Sequence, residues 1–483
     1  MPAYVLEIAV LALGLILLLW EAFLAPDKRR WIGYAAIGGL ALVFVLTFFA
    51  EMHPAEAGGF WSYYTADKLA LFYKRLALLC TGVVLVLGLD FLPVLEKYSA
   101  RVGGGAAIGE FFSLPVFICT GLMWMASAVD LTSIFVSLEL VTIAFYVLVA
   151  YMRRNGGSLE AGAKYLILGA LSTGFFVYGF AWLFGVTGQT NLAAIGHALA
   201  TTSHHSAALF AFALVLVGIA FKVAAVPLQF WVPDVYQGAP TPVTAFLSVG
   251  SKAAGFIVAF RLLQPFLASD ALSGPALSIL VAVAGATLLV GNLAAIPQTN
   301  FKRLLAYSSI SHAGFLLLAL ASKAPVGGLR PEQVVSFYLA AYLFMTLLCF
   351  AVLAIINRWK ASDDLTAFDG LGQRSPFLAF ALLIGSVSLA GVPLTAGFLG
   401  KFFVFTLAIN SGYFWPTVVA ILGAAAGFYY YLKVVRSMYL SKPAASDPAL
   451  PTPLCPLTRI TIIVLIAATL LFGVWPQPIL SLL

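Results

Sequence analysis

Apolar stretches of about 20 residues, the length of a membrane-crossing helix, repeat along the chain with short polar connections between them. They fall near residues 3–24, 31–50, 70–92, 111–129, 131–152, 162–186, 207–231, 241–262, 273–295, 302–321, 332–357, 376–409, 414–440 and 459–482. The pattern predicts an all-α polytopic membrane protein with fourteen transmembrane helices and no sizeable soluble domain. The first run carries Glu7 and Glu21 and lacks both a basic leading segment and a small-residue cleavage site. It reads as a retained span, not a signal peptide.

Two runs are too long and too interrupted to be simple rods. Pro227 lies inside the seventh, in GIAFKVAAVPLQFWVPD, and Pro393 inside the twelfth, in SLAGVPLTAGFLGKFF. Proline removes a backbone hydrogen bond and clashes with the preceding turn, and broken helix at membrane depth is tolerated where it is buried in protein or lines a wet cavity. Both breaks read V-P-L, and they fall five helices apart, an odd offset, so equivalent helices run in opposite directions. That is the pattern of an inverted repeat, with paired breaks marking an ion site. The organisation expected is a single membrane domain: three N-terminal helices (1–93), a first five-helix repeat (111–262), a second (273–440) and a last helix (459–482). The repeat is approximate, because Lys222 precedes its proline whereas Lys401 follows its own.

Composition narrows the function. Of 483 residues, 62% are hydrophobic and 9% charged, against about a quarter charged in soluble domains, so a soluble enzyme is excluded. The 26 basic and 19 acidic residues do not point to nucleic acid, because their placement follows topology. Alternate loops collect sixteen cations (Lys28, Arg29, Arg30, Lys97, Arg101, Arg153, Arg154, Lys302, Arg303, Arg358, Lys360, Arg374, Lys433, Arg436, Lys442, Arg459) against six (Lys68, Lys74, Arg75, Arg261, Lys323, Arg330). This positive-inside bias predicts both termini outside the cytoplasm. Cys80, Cys119, Cys349 and Cys455 are scattered without metal or disulfide spacing, and no nucleotide, haem or iron–sulfur motif occurs. The chain alone is expected to bind no cofactor or metal and to carry out no redox chemistry.

Four lysines remain, all inside apolar runs: Lys164, Lys222, Lys252 and Lys401. An ionisable group at membrane depth is costly and points to function. The one clearly mid-span acid is Glu139, while Glu160 stands one turn before Lys164, where pairing is easy. One or two acids do not neutralise four lysines, and a lysine's proton affinity depends on burial and on its neighbours' charge. Such a row suits a proton relay. The plainer reading, lysines that pin helices together or snorkel to headgroups, applies most to Lys164. In the tenth helix, Ser308, Ser309, Ser311 and His312 could carry a water wire or only bond neighbouring helices. His53, His197, His204 and His205 are expected in loops.

Three long motifs, GIAFKVAAVPLQFWVPDVYQGAPTPVTAFLSVGSKAAGF, QTNFKRLLAYSSISHAGF and SLAGVPLTAGFLGKFFVF, resemble the antiporter-like membrane subunits of respiratory complex I, NADH–quinone oxidoreductase, most closely the branch of subunit N. The resemblance spans the chain, to GVWPQP at its end. Lys252 in LSVGSKAAGF favours that branch over the M and L branches and the multisubunit sodium–proton antiporters, which typically carry a histidine pattern there. Gln229 departs from the pattern, since relatives often have histidine in PFH-W. The resemblance implies that Glu139 pairs with Lys222, that Lys252 links the half-channels, that Lys401 stands near the proton exit, and that Lys164 is accessory and His312 a further candidate. It also implies proton export coupled to quinone reduction elsewhere, with NADH, FMN, iron–sulfur clusters and quinone held by partner subunits. M-, K- and L-like membrane subunits are the implied neighbours, in a bacterial inner membrane. An Mrp-type cation/proton antiporter subunit, or a purely structural subunit, are the competing readings.

Overall fold

With no water available inside a bilayer, each segment must satisfy its own backbone, and the chain does so almost wholly as helix. The computed structural model describes residues 1–25, 28–55, 59–99, 108–443 and 454–483; Arg101, one of the sixteen loop cations, lies outside them. The helices are α1 (Tyr4–Phe23), α2 (Arg30–Leu46), α3 (Lys68–Ser99), α4 (Glu110–Ser127), α5 (Leu131–Val149), α6 (Gly156–Thr187), α7 (Leu192–Thr201), α8 (His205–Val223), α9 (Trp231–Gly238), α10 (Thr241–Phe246), α11 (Lys252–Leu267), α12 (Asp270–Ala295), α13 (Phe301–Leu320), α14 (Pro331–Lys360), α15 (Leu371–Arg374), α16 (Pro376–Ala390), α17 (Ala396–Asn410), α18 (Phe414–Leu440), α19 (Pro456–Val474) and α20 (Gln477–Leu480). A π-helical turn, Leu247–Ser251, joins α10 and α11 into one rod.

Among the described residues, 13 segments are long and apolar enough to cross a membrane unaided. The fourteenth expected crossing is the α16–α17 pair, two helices of 15 residues each. Loop contacts show that the pair does cross. The loop before α13 bonds the loop after α14, through Phe301 N to Asp363 O at 2.7 Å and Leu365 N to Thr299 O at 2.8 Å. The loop after α13 bonds the turn after α17, where Lys323 N and Ala324 N both donate to Ser411 Oγ at 3.0 Å. The N-terminus shares its face with Glu51, and that face also joins Tyr63 to Val129 and Val129 to Leu192.

Both sequence-predicted breaks are present. α8 ends at Val223, where Ala224 takes a left-handed φ of 66°, and Pro227 sits in the non-helical link before α9. α16 ends at Gly391 (φ 93°), and Pro393 lies in the link before α17. The predicted twelfth run, 376–409, is therefore two helices. Unforeseen is α7, ten residues capped by the Asn191 side chain, which places His197 on a helix and not in a loop. Lys74, Arg75 and Arg261 also lie within α3 and α11, so they are not the loop cations the charge count assumed.

Helix association in lipid rests on close packing and interhelical hydrogen bonds, since lipid tails are as apolar as leucine. The innermost spans are Thr241–Leu267 and Pro331–Lys360, with 94% of their apolar windows enclosed, whereas α1, α2, α6 and α18 stand at 33%. Glycine makes a close seam between α12 and α13. A Cβ at Gly291 would fall 2.5 Å from Ser311 N, and one at Gly314 would fall 2.8 Å from Leu288 N. Gly291→Ala must force backbone apart, an overpacking cost of about 1–3 kcal/mol. It lowers the melting temperature of the detergent-purified protein, while Gly274→Ala on the same helix, with nothing within 4 Å, leaves it unchanged or raised.

Candidate relay of buried lysines

Each break supplies a helix end to a lysine. The last carbonyls of a helix have no intrahelical donor and carry partial negative charge. Lys401, on α17, reaches back across the break and donates to Leu389 O and Ala390 O of α16, both at 2.8 Å. Lys222 stands in the last turn of α8 and donates to Thr142 Oγ1 on α5. The lysines lie on opposite sides of their prolines, yet Lys222 stands in, and Lys401 bonds to, the C-terminal end of the first half-helix. The link after α8 is fastened by Val226 N to Thr287 Oγ1 at 3.0 Å. Gln229 is buried in it, with no hydrogen-bond partner for Oε1 among the described residues.

Lys222 and Glu139 share this neighbourhood without a direct ion pair. Thr142, one turn along α5 from Glu139, takes the lysine, and Thr173 Oγ1 of α6 donates to Glu139 Oε1 at 3.0 Å. Glu139 is half-buried at the edge of an apolar groove of about 630 Å3 between α5 and α6. The resemblance implies a Glu139–Lys222 pair; in the structure Lys222 Nζ bonds Thr142 Oγ1, with Glu139 one turn away on the same helix.

Lys252 opens α11 directly after the π turn and donates to Ser309 O and, at 2.6 Å, to Ser309 Oγ on α13. Tyr342 of α14 lies under its ammonium, 5.5 Å from the ring centroid, and bonds Ser248 at 3.0 Å. One turn from Lys252, Gly255 packs α11 closely on the end of α8, where a Cβ would stand 3.0 Å from Val223 Cγ1 and in ordinary contact with Lys222. One turn from Ser309, His312 is buried with Nδ1 2.7 Å from Tyr338 OH and Nε2 3.4 Å from Tyr431 OH. Tyr431 also bonds Ser308. Tyr338 and Tyr431 went unnoticed in the sequence, where both read as ordinary aromatic positions.

Lys222, Lys252 and Lys401 have no carboxylate within 4.0 Å among the described residues, and all three are held by neutral oxygens. A hydroxyl can donate to a neutral amine as readily as it accepts from an ammonium. These sites therefore accommodate either charge state.

Lys164 belongs elsewhere. It is half-exposed and ion-paired at 2.7 Å to both Glu160 and Asp234. Asp234, on α9 and outside the long spans, also takes Arg303 of α13 at 2.8 Å. Burial works to raise its pKa, but these two cations outweigh it and hold the carboxyl below its ordinary value. A depressed carboxyl contributes stability above its unfolded-state pKa and loses it as pH falls through the folded one. This cluster lines a charged bowl of about 680 Å3, with Lys97, Lys302, Arg358 and Asp363 on its walls.

A further buried ion pair was missed. Lys74 of α3 and Glu7 of α1 meet at 2.8 Å, almost wholly shielded, and Tyr64 OH donates to Glu7 at 3.1 Å. Two signals were available: Glu7 interrupts an apolar run, and Lys74 lies within the run that starts near residue 70. Here a lysine is neutralised by a carboxylate, in contrast to the three above. Among the described residues no group of three or more His, Cys, Asp or Glu side chains could hold a metal.

With this geometry in hand, comparison with known proteins is informative. Residues 128–426 match the family described as NADH:quinone oxidoreductase/Mrp antiporter, TM. The NADH-quinone oxidoreductase subunit N of Heliobacterium modesticaldum is 37% identical, the match covering 98% of this chain and 94% of that one. A chain of respiratory complex I from Thermus thermophilus superposes with a TM-score of 0.80 at 32% identity, covering 99% of this chain and 98% of that one. A chain of the Mrp complex of a Dietzia species shares the fold, with a TM-score of 0.80 at 21% identity over 99% and 95% of the two chains.

Proposed function

The chain belongs to the NADH:quinone oxidoreductase/Mrp antiporter transmembrane family, and from that premise we propose that it is a proton-translocating membrane-arm subunit of an NADH–quinone oxidoreductase. Glu139, Lys222, Lys252 and Lys401 form its relay, with His312 between the last two lysines' surroundings and Lys164 as an accessory cation at the charged bowl. The observation that carries this reading is the contrast between a lysine locked to a carboxylate and lysines at membrane depth held by neutral oxygens. Lys74 is locked to a carboxylate, whereas Lys222, Lys252 and Lys401 rest on hydroxyls and carbonyls that hold both a charged and a neutral amine. A subunit whose lysines only pin helices would pair them as Lys74 is paired. The two segments 111–262 and 273–440 act as inverted repeats, each bringing a broken helix to the relay.

In this reading the chain itself performs no redox step. NADH, FMN, iron–sulfur clusters and quinone belong to partner subunits, with M-, K- and L-like chains alongside in a bacterial inner membrane and both termini outside the cytoplasm. The Mrp antiporter reading has the fold on its side but a lower identity. Mild-detergent capture of the tagged chain from native membranes tests the assignment. Recovery with flavin and iron–sulfur subunits and NADH oxidation supports it; recovery with small membrane partners alone and sodium-dependent exchange without NADH replaces it with the antiporter reading.

A further inference from the structure

Helix α9 is only eight residues long, yet it touches residues beside both central lysines. At its start, Trp231 Nε1 donates to Phe221 O at 3.1 Å, on the residue before Lys222. At its inner side, Tyr236 OH lies 3.3 Å from Ser309 Oγ, the hydroxyl that accepts from Lys252. At its outer side, Asp234 is clasped by Lys164 of α6 and Arg303 of α13, at 2.7 and 2.8 Å, and Arg303 also reaches Gln237 at 3.0 Å. Beyond its end, Lys302 Nζ donates to Ala239 O at 3.1 Å and pairs with Asp363 at 3.2 Å. The non-helical link after α8 gives α9 no continuous rod to hold it, so these side-chain ties set its position.

We propose that Asp234 is a positioning residue for the relay: it anchors α9 as a strut that holds Lys222 and Lys252 in place from the charged bowl at the protein surface. The inference rests on the relay reading above. Coupling between sites needs a physical element that both of them bias, and α9 is that element. Its outer end responds to the bowl's ion pairs, and its inner end shares a hydroxyl with Lys252. A change in the Asp234 clasp therefore reaches Lys252 through Tyr236 and Ser309 without any group crossing the membrane.

The test uses the intact complex in inverted membrane vesicles, with NADH-driven proton uptake measured per assembled complex. Asp234→Asn keeps the shape and weakens both ion pairs; it slows uptake roughly tenfold, within the ~100-fold that misplacing a reacting group can cost. Asp234→Glu restores uptake. Tyr236→Phe, which removes a single hydroxyl and spares the fold, slows uptake similarly, and the double variant is no slower than the worse single one. If Asp234→Asn does not assemble, Tyr236→Phe decides alone. Unaltered uptake in Tyr236→Phe, or effects of the two that add in full, overturns the strut. Lys252→Ala separates the two ideas: slow uptake there with an unaffected Tyr236→Phe removes the strut and leaves the relay, whereas unimpaired uptake in Lys252→Ala removes the relay itself.

Discussion

Lys74→Met alone prevents accumulation of the assembled complex, and adding Glu7→Gln restores it. The single change leaves Glu7 charged, shielded from water and without its cation. Breaking a buried pair from one side costs about 3–5 kcal/mol, while replacing both partners by neutral groups of similar volume is often tolerated. The ties to Tyr64 sharpen the expectation. Tyr64 OH donates to Glu7 Oε1, and glutamine keeps that acceptor. Methionine fills the space of the lysine stem. Quantitative immunoblotting of native gels reads the result. Loss of complex in the double variant equal to that in the single variant would mean that the charge pair itself, not the stranded carboxylate, is required. Proton uptake per assembled double-variant complex stays normal, because a lysine locked to a carboxylate takes no part in the relay.

Lys222→Ala has the opposite profile: the complex assembles, and proton uptake per complex falls by roughly 100-fold, the lower range of what one positioned proton-transfer group contributes. Assembly survives because the lysine is held by a single hydroxyl, Thr142 Oγ1, and a threonine hydroxyl can turn to a helix carbonyl, as Thr142 already does to Leu138 O at 2.6 Å. Lys222→Arg does not rescue, since guanidinium does not release its proton in this range. Normal uptake in either variant would remove Lys222 from the relay. Lys74 and Lys222 thus carry opposite expectations, one read by assembly and the other by transport.

Much of this was legible in the apolar runs and the prolines. Run length gave the number of crossings, and Pro227 and Pro393 marked both links, because a missing N–H and a ring clash act locally and show in the sequence. What escaped depends on contacts between distant segments. Nothing near Lys401 says that its partners are the carbonyls of Leu389 and Ala390, since that requires the chain to fold back across the break. Asp234 does not stand out in the sequence, and only the approach of α6 and α13 makes it a junction of two cations. α7 was missed because its ten residues fall in a stretch too short and too mixed to stand out as a span. That Lys222 bonds Thr142, one helical turn from Glu139, is likewise a detail that spacing does not resolve.

The approximate repeat raised a question about Lys222 and Lys401, which fall on opposite sides of their prolines. The answer is that each attends the C-terminal end of a half-helix. For Lys401 this has a consequence for water. When its ammonium gives up a proton, the carbonyls of Leu389 and Ala390 keep their lone pairs but face a weaker donor, and the helix end loses its compensating charge. Water is then the donor best able to replace it. In the proposed relay, wetting of the break would follow the charge on Lys401, so the group that hands on a proton would also set when its own surroundings conduct.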